Sequence, residues 1–321
     1  MKISIITPTY NQAEYIEQTI LSVLNQDYKN FEYIIIDGGS TDGTIEIIKK
    51  YESKLKYWVS EKDAGQSDAI NKGLKHVDGD VINWLNSDDW LEPGAFSALL
   101  SFFNKNKEID VVFGNCNIVY PGIKTQIYEA VEFEPIDFSS RISVHQPSTF
   151  WRRSIMEGLG PLDQDLHYCM DYDLWAKMLF KFKSKTLDFT LANFRRYPES
   201  KTSNFDDQTM VYDDYRRVIS RVIYSTDKEW YEKLKELGLN YNDTLVDYQW
   251  DNEIKRNIPI KDIYYRYIIT CAEQEYIVEN KKKANRLYKE CLNSPFRTIA
   301  LKGMLKNKLG FRKFFHPYRK T

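Results

Sequence analysis

Long apolar runs are the first thing this chain lacks. Nothing in its 321 residues approaches the roughly 18 apolar positions that a membrane-crossing helix needs. Charge nearly cancels, with 45 Lys and Arg against 46 Asp and Glu, so no global field argues for a nucleic-acid partner. Cysteine is scarce. Cys116, Cys169, Cys271 and Cys291 stand far apart and form neither a CxxC pair nor a zinc spacing. Isolated thiols of this kind fit a reducing compartment. Only Ile3 to Ile6 precede Thr7-Pro8, too short an apolar stretch for a secretory signal, and a cytoplasmic setting is expected. Neither GxGxxG nor a Walker loop is present, which removes the two commonest phosphate-cradling signatures.

What remains is ordinary in bulk and specific in detail. A hydrophobic fraction of 42% supports a sizeable core, and the length suits roughly two domains. Ile3-Ser4-Ile5-Ile6, Tyr33-Ile34-Ile35-Ile36 and Tyr57-Trp58-Val59 read as strands. Helices are expected after each. The first has Asn11 as its cap, with Glu14 in capping-box spacing. The second carries Ile45, Ile48 and Tyr51, and the third runs from Gln66 to His76. Such alternation predicts an α/β domain with a mostly parallel, doubly wound sheet flanked by helices. From about residue 206 the pattern turns helical throughout, so a first domain is expected over 1–205 and a helical region over 206–321.

Chemistry concentrates at strand ends. Val81-Ile82-Asn83-Trp84-Leu85 reads as a buried strand that delivers Asn86-Ser87-Asp88-Asp89. In open α/β sheets ligands bind at the carboxyl ends of strands. Adjacent carboxylates there suit a hard divalent cation carrying phosphates. A plain alternative is that they cap the helix starting near Pro93. The loop Asp37 to Thr44, rich in glycine and hydroxyls, also opens a helix, and Asp37 could accept from a base or ribose or serve only the turn. Asp171 stands one turn before the apolar face of Leu174, Trp175, Met178 and Leu179, where a helix dipole favours an anion. It is either a catalytic carboxylate or a helix-start acid.

Four segments acquire a joint meaning: Ile5 to Asn11, Ile36 to Thr44, Asp63 to Gly73 (DAGQSDAINKG), and Asn86 to Asp89. In that order and spacing the chain resembles a family 2 glycosyltransferase of the GT-A fold. The likeness continues through His145-Gln146-Pro147-Ser148-Thr149-Phe150 and Met170 to Trp175, and reaches about residue 205. It implies an inverting, metal-dependent enzyme acting on a nucleotide-sugar, most often of UDP. By resemblance, Thr7, Pro8 and Tyr10 line the nucleotide pocket and Asp37 meets the base. The stretch holding Gly65, Asp68 and Asn71 closes over the donor. Asn86 and Ser87 join the donor site, while Asp88, with Asp89, holds Mg²⁺ or Mn²⁺. Asp171 is the base. The chain departs from the pattern at Asn86, where the first acid is usual, at Met170, and at Tyr197, where histidine is frequent. His145, Gln146, Trp151 and Arg195 are candidates for the acceptor or the diphosphate, with Arg152 and Arg153 beside them.

The acceptor implied is a glycan or a lipid-linked sugar in bacterial surface polysaccharide synthesis. Two rivals stand beside this reading: a non-catalytic carbohydrate- or nucleotide-binding protein, for which Asn86 and the missing acid at 170 leave room, and a nucleotidyltransferase, against which stands the lack of a Gly-rich basic loop after strand one. Between Phe296 and Lys320 stand eight Lys or Arg and no acid, interleaved with Ile299, Leu301, Met304, Leu305, Leu309, Phe311, Phe314 and Phe315. This end reads either as a peripheral membrane element over 296–321 on the inner face of the plasma membrane, or as a helix packed on the protein itself.

Overall fold

The computed structural model describes residues 1–123, 125–139, 144–201, 208–241 and 246–309. The chain forms two compact units. Residues 1–133 with 143–218 make the first, and residues 134–142 with 219–321 the second. The boundary expected at 205/206 lies outside the described residues.

In the first unit the strands are β1 (Ile3–Thr9), β2 (Phe31–Asp37), β3 (Tyr57–Ser60), β4 (Val81–Trp84), β5 (Trp90–Leu91), β6 (Val111–Val119), β7 (Gln126–Tyr128), β8 (Thr149–Arg152) and β9 (Ser184–Arg195). Its helices are α1 (Ile16–Leu24), α2 (Thr44–Tyr51), α3 (Gln66–Leu74), α4 (Ala95–Lys105) and α5 (Met170–Leu179), followed by α6 (Gln208–Thr226), whose residues up to 218 belong here. Among the described residues these strands form one sheet in the order β3-β2-β1-β4-β8-β6-β9-β5, with β7 paired to β6.

The sheet has two characters. β3, β2, β1 and β4 run parallel, with Thr9 opposite Asp37, Asp37 opposite Ser60, and Ile6 opposite Trp84. Their carboxyl ends therefore share one edge. From β8 onward pairing is mixed: β8 is antiparallel to both β4 and β6, while β9 is parallel to β6 and antiparallel to β5. The parallel strands read as continuous apolar runs because helices cover both faces. Ile3, Ile5, Ile35 and Val81 share a core with Ile16, Ile20 and Phe96. A second layer clusters three tryptophans: Trp84 stacks on Trp175 at 6.1 Å, and Trp151 meets Trp84 edge-on at 5.5 Å and Trp175 edge-on at 6.1 Å. Gly73 lets α3 lie against the sheet, since a Cβ there would meet Ile6 at 2.4 Å.

Two local expectations fail. Asn11 does not cap α1, which starts at Ile16 behind Tyr15. Its backbone is left-handed at φ 51°, its side chain accepts from Thr41 N at 2.9 Å, and its own N–H donates to Ser40 at 2.7 Å. The asparagine bonds to the neighbouring loop, which competes directly with capping. Trp151, Arg152 and Arg153 do not line a cleft. Because β8 runs against β4, it carries them to the amino end of that strand, where Val81 pairs with Arg152. Trp151 is fully buried, Arg152 donates to Ile109 O, and Arg153 donates to Gly79 O.

The second unit is helical. It holds the rest of α6 and α7 (Lys228–Glu236), α8 (Asn252–Asn257), α9 (Ile260–Ile277), α10 (Lys281–Glu290) and α11 (Arg297–Leu309). Asp227 and Asp251 cap α7 and α8 by accepting from Glu229 N and from Glu253 N and Ile254 N. Ile263, Tyr267, Ile268, Ala284, Leu287 and Tyr288 are the buried faces that the helical spacing predicts.

Candidate active site

The shared carboxyl edge of the parallel strands collects most of the candidate residues, but it engages them unequally. Thr7 is buried, its hydroxyl 2.9 Å from that of Tyr33, so it belongs to the core rather than to a pocket lining. Pro8 is buried as well, whereas Tyr10 just beyond β1 is 60% exposed and free to stack on a planar ligand. Asp37 is fully buried. It accepts from Gly39 N, Ser40 N and the hydroxyls of Ser40 and Ser60 at 2.5 to 3.0 Å. These donors hold the 37–44 loop, and the carboxylate has no surface left for a base.

A second acid beside this loop, Asp63, is one the motif assignment passed over. Asp63 lies so close above Gly38 that a Cβ there would meet its Oδ2 at 2.7 Å. The glycine pair at 38 and 39 was the available signal: a bare backbone admits another segment's side chain. Gly65, at φ 114°, then turns the chain into α3.

The first turn of α3 is the hub. Gln66 Nε2 donates to Asn86 Oδ1 at 2.8 Å, and Lys201 Nζ donates to Gln66 Oε1 at 3.1 Å. Asn86 Nδ2 donates to Gln146 Oε1 at 3.2 Å, and Gln146 in turn donates to Trp84 O. The amide at 86 therefore knits α3 to the turn before β8. Ser67 Oγ reaches Met170 Sδ at 3.1 Å, beside Asp171. Asp68 bonds Ala64 N and Lys72, and Asn71 pairs with the backbone of Leu162 through two 2.8 Å bonds. Both hold the donor-side segment in shape.

Asp88 and Asp89 separate completely. Asp89 is fully buried and accepts from Arg195 N at 3.0 Å, so it fixes β9 instead of facing a ligand. Its burial, with Asp88 beside it, pushes its pKa up. Asp88 is only partly buried. Its Oδ2 accepts from Tyr197 at 3.1 Å, and among the described residues no other residue donates to its Oδ1. Arg195 is likewise occupied: it is sandwiched between Tyr15 and Trp90 and bonded to Asp88 O and Gln18. Ser87 is buried, and its carbonyl accepts from Thr19. His145 sits edge-on to Tyr128 with its carbonyl capping Ser148 and Thr149.

Asp171 opens α5. Burial raises its pKa, the nearby Lys201 ammonium pulls it back, and Tyr172 N donates to it at 2.7 Å. Lys201 is itself pushed down by burial and opposed by Asp171 and Asp214.

This edge, with its acid-bearing loops on a half-parallel sheet, coincides with a known family. Residues 4–150 match the sequence pattern described as Glycosyl transferase family 2. That pattern spans just under half of the chain. It is 32% identical over 211 residues to an uncharacterised glycosyltransferase of Rickettsia typhi, covering 63% of this chain and 66% of that one. It is 34% identical over 125 residues to the GalNAc(5)-diNAcBac-PP-undecaprenol beta-1,3-glucosyltransferase of Campylobacter jejuni, covering 38% and 40%. The aligned part thus spans under two thirds of either relative. The structure resembles S. aureus TarS 1–349, also solved with UDP, at a TM-score of 0.62 and 18% identity over 96% of this chain and 89% of that one. The fold is accordingly GT-A with a helical C-terminal region.

Proposed function

We infer that the protein is an inverting glycosyltransferase that moves a sugar from a nucleotide-sugar to a hydroxyl of a glycan or lipid-linked acceptor. The observation that carries it is the Gln66 hub. Through hydrogen bonds one helix turn joins the Asn86–Asp88 loop to Lys201, while Ser67 beside it touches Met170, next to Asp171. A cation-binding carboxylate and a candidate base are thereby tied to the same short element. Uridine is the favoured nucleotide because TarS binds UDP and UDP-GlcNAc on the same fold. The lipid-linked class is favoured because the Campylobacter relative is named for an undecaprenol-linked acceptor.

Mg²⁺ or Mn²⁺ fits what is present. Among the described residues no three acidic, His or Cys side chains converge, so a protein cage is excluded there. A single open carboxylate oxygen, that of Asp88, suits a cation completed by diphosphate and water. Once bound, such an ion would supply Lewis acidity to the leaving diphosphate. Tyr197 keeps Asp88 in place, and Tyr10 offers a stacking face. Asp171 takes the acceptor proton as the hydroxyl attacks the anomeric carbon opposite the nucleotide, so one displacement inverts that centre.

The test is a panel of nucleotide-sugars in a thermal-shift assay with Mn²⁺ and with Mg²⁺, followed by release of the nucleoside diphosphate. A bound donor at 100 times its Kd should add about 2.7 kcal/mol. Stabilisation without turnover towards any hydroxyl acceptor or water would leave a binding protein. No stabilisation by any nucleotide would remove the proposal altogether.

A further inference from the structure

We propose that one end of the helical unit is a docking surface for an anionic lipid leaflet, built from the α9–α10 turn and the outward side of α11. The evidence begins with how α11 packs. Ala300, Gly303 and Asn307 form its buried side. Gly303 lies against the ring of Tyr288, and Asn307 Nδ2 donates to Lys281 O at 3.1 Å and to Asn285 at 2.9 Å. The buried side is small and polar, so the large apolar residues of the helix are left outside. Leu301 is 47% exposed and Leu305 55%. The Asn307 bonds also fix which end this is. The last turns of α11 stand beside the first turn of α10, and hence beside the turn that follows α9. There Val278 is 68% exposed and Ile277 45%.

The same end is cationic. Lys281, Lys282, Lys302 and Lys308 are exposed, and no carboxylate pairs with them among the described residues. The acids nearby are largely matched: Glu275 pairs with Lys283 at 2.5 Å, and Glu273 faces the Lys306 charge. Glu279 lies in the turn itself. Exposed aliphatic side chains set among unpaired lysines are the composition of an interfacial element. Its apolar groups enter the headgroup boundary while its cations meet lipid phosphates. An acidic protein would match the lysines but not four protruding aliphatic residues of this spread. The occupant proposed is therefore the leaflet. The surface uses residues separate from the sugar-transfer site, so it stands or falls independently of the proposed activity.

Co-sedimentation of the full chain with vesicles tests it, comparing phosphatidylcholine alone with phosphatidylcholine containing phosphatidylglycerol. Binding is expected only to the anionic vesicles and should weaken as salt rises. Lys281→Glu/Lys282→Glu/Lys308→Glu should lower partitioning by about tenfold or more, since each lysine near such a surface contributes measurably. Leu301→Ser/Leu305→Ser should lower it too, with an unchanged melting temperature because both positions face out. A variant ending at Leu309 should keep most of the binding. Equal binding to neutral vesicles would overturn the proposal, as would wild-type binding by the triple charge variant. So would loss of all binding with residues 310–321, which would assign attachment to that segment alone. Retention on heparin without retention by vesicles would replace the leaflet with a soluble polyanion.

Discussion

Two acids at the amino edge of the parallel half-sheet and two beside its carboxyl edge are treated in opposite ways. At the amino edge, Glu32 is buried yet receives Ser4, Lys2 and Lys56, the last at 2.7 Å, and Asp78 bonds the same two lysines. Those hydrogen bonds and charges hold Asp78 far below the usual carboxylate range. At the carboxyl edge and the start of α5, Asp88 and Asp171 have one tyrosine hydroxyl and one backbone N–H between them from other residues. Burial raises both pKa values. Asp37 at the carboxyl edge is fully bonded like Glu32, whereas Asp88 and Asp171 are left unfinished. Proteins leave buried charge uncompensated where a ligand completes it.

The largest test of that contrast is Asp171→Asn. Turnover should fall by roughly 10²–10⁴-fold, the usual span for a general base, with donor affinity unchanged. Its folded pKa lies above the unfolded value, so the native state holds the proton more tightly. Stability is then lost as pH rises through that window. The variant should therefore melt no lower than wild type at neutral pH, and a large drop in melting temperature would mark Asp171 as structural. Next is Asp88→Asn. Calorimetry with nucleoside diphosphate and Mn²⁺ should show an affinity loss on the order of 100-fold, because a hard anionic ligand is removed. Unchanged affinity would take Asp88 out of the site.

At the amino edge, Lys56→Met should cost about 1–2 kcal/mol of stability through the lost charged hydrogen bond, and leave donor affinity alone. An effect on binding without one on melting would erase the contrast between these acids. The smallest expected effect is on pH. Asp171 must be ionised to act, so turnover should rise with pH along a limb above the ordinary carboxylate value of about 4. Lys201→Met removes the cation that pulls this pKa down, and the limb should move further up in the pH–rate profile. A downward shift would show that Lys201 does not face the base.

How much of this was legible follows from range. The α/β half, its strands and α3 are written in local periodicity, and the four motif segments sit where sequence spacing puts them. What failed depends on partners far along the chain. Asn11 was expected to cap its own helix because capping is local, and it instead serves a loop 30 residues away. Trp151, with Arg152 and Arg153, was a candidate for the acceptor side. An antiparallel strand of four residues is enough to move them to the opposite edge. Asp88 and Asp89 cannot be told apart in sequence, since only the return of β9, more than 100 residues later, gives Asp89 its backbone donor. The Gln66–Lys201 bond spans 135 residues and leaves no local trace. In the helical unit the buried stripes are legible, but the inclusion of residues 134–142 is not, because Phe138 buries itself in a unit formed mostly by residues after 218.

The clasp between Asn71 and Leu162 has a mechanical consequence. Two short bonds from one amide, donor and acceptor both satisfied by one backbone, behave as a rivet rather than a tether. Ser67 adds a second fastening to Met170. The face of α3 behind the donor loop is thus bolted to the segment that leads into α5. Any displacement of α3 would carry the start of α5 with it. Asp171, one residue after Met170, is then positioned by α3 as well as by its own helix.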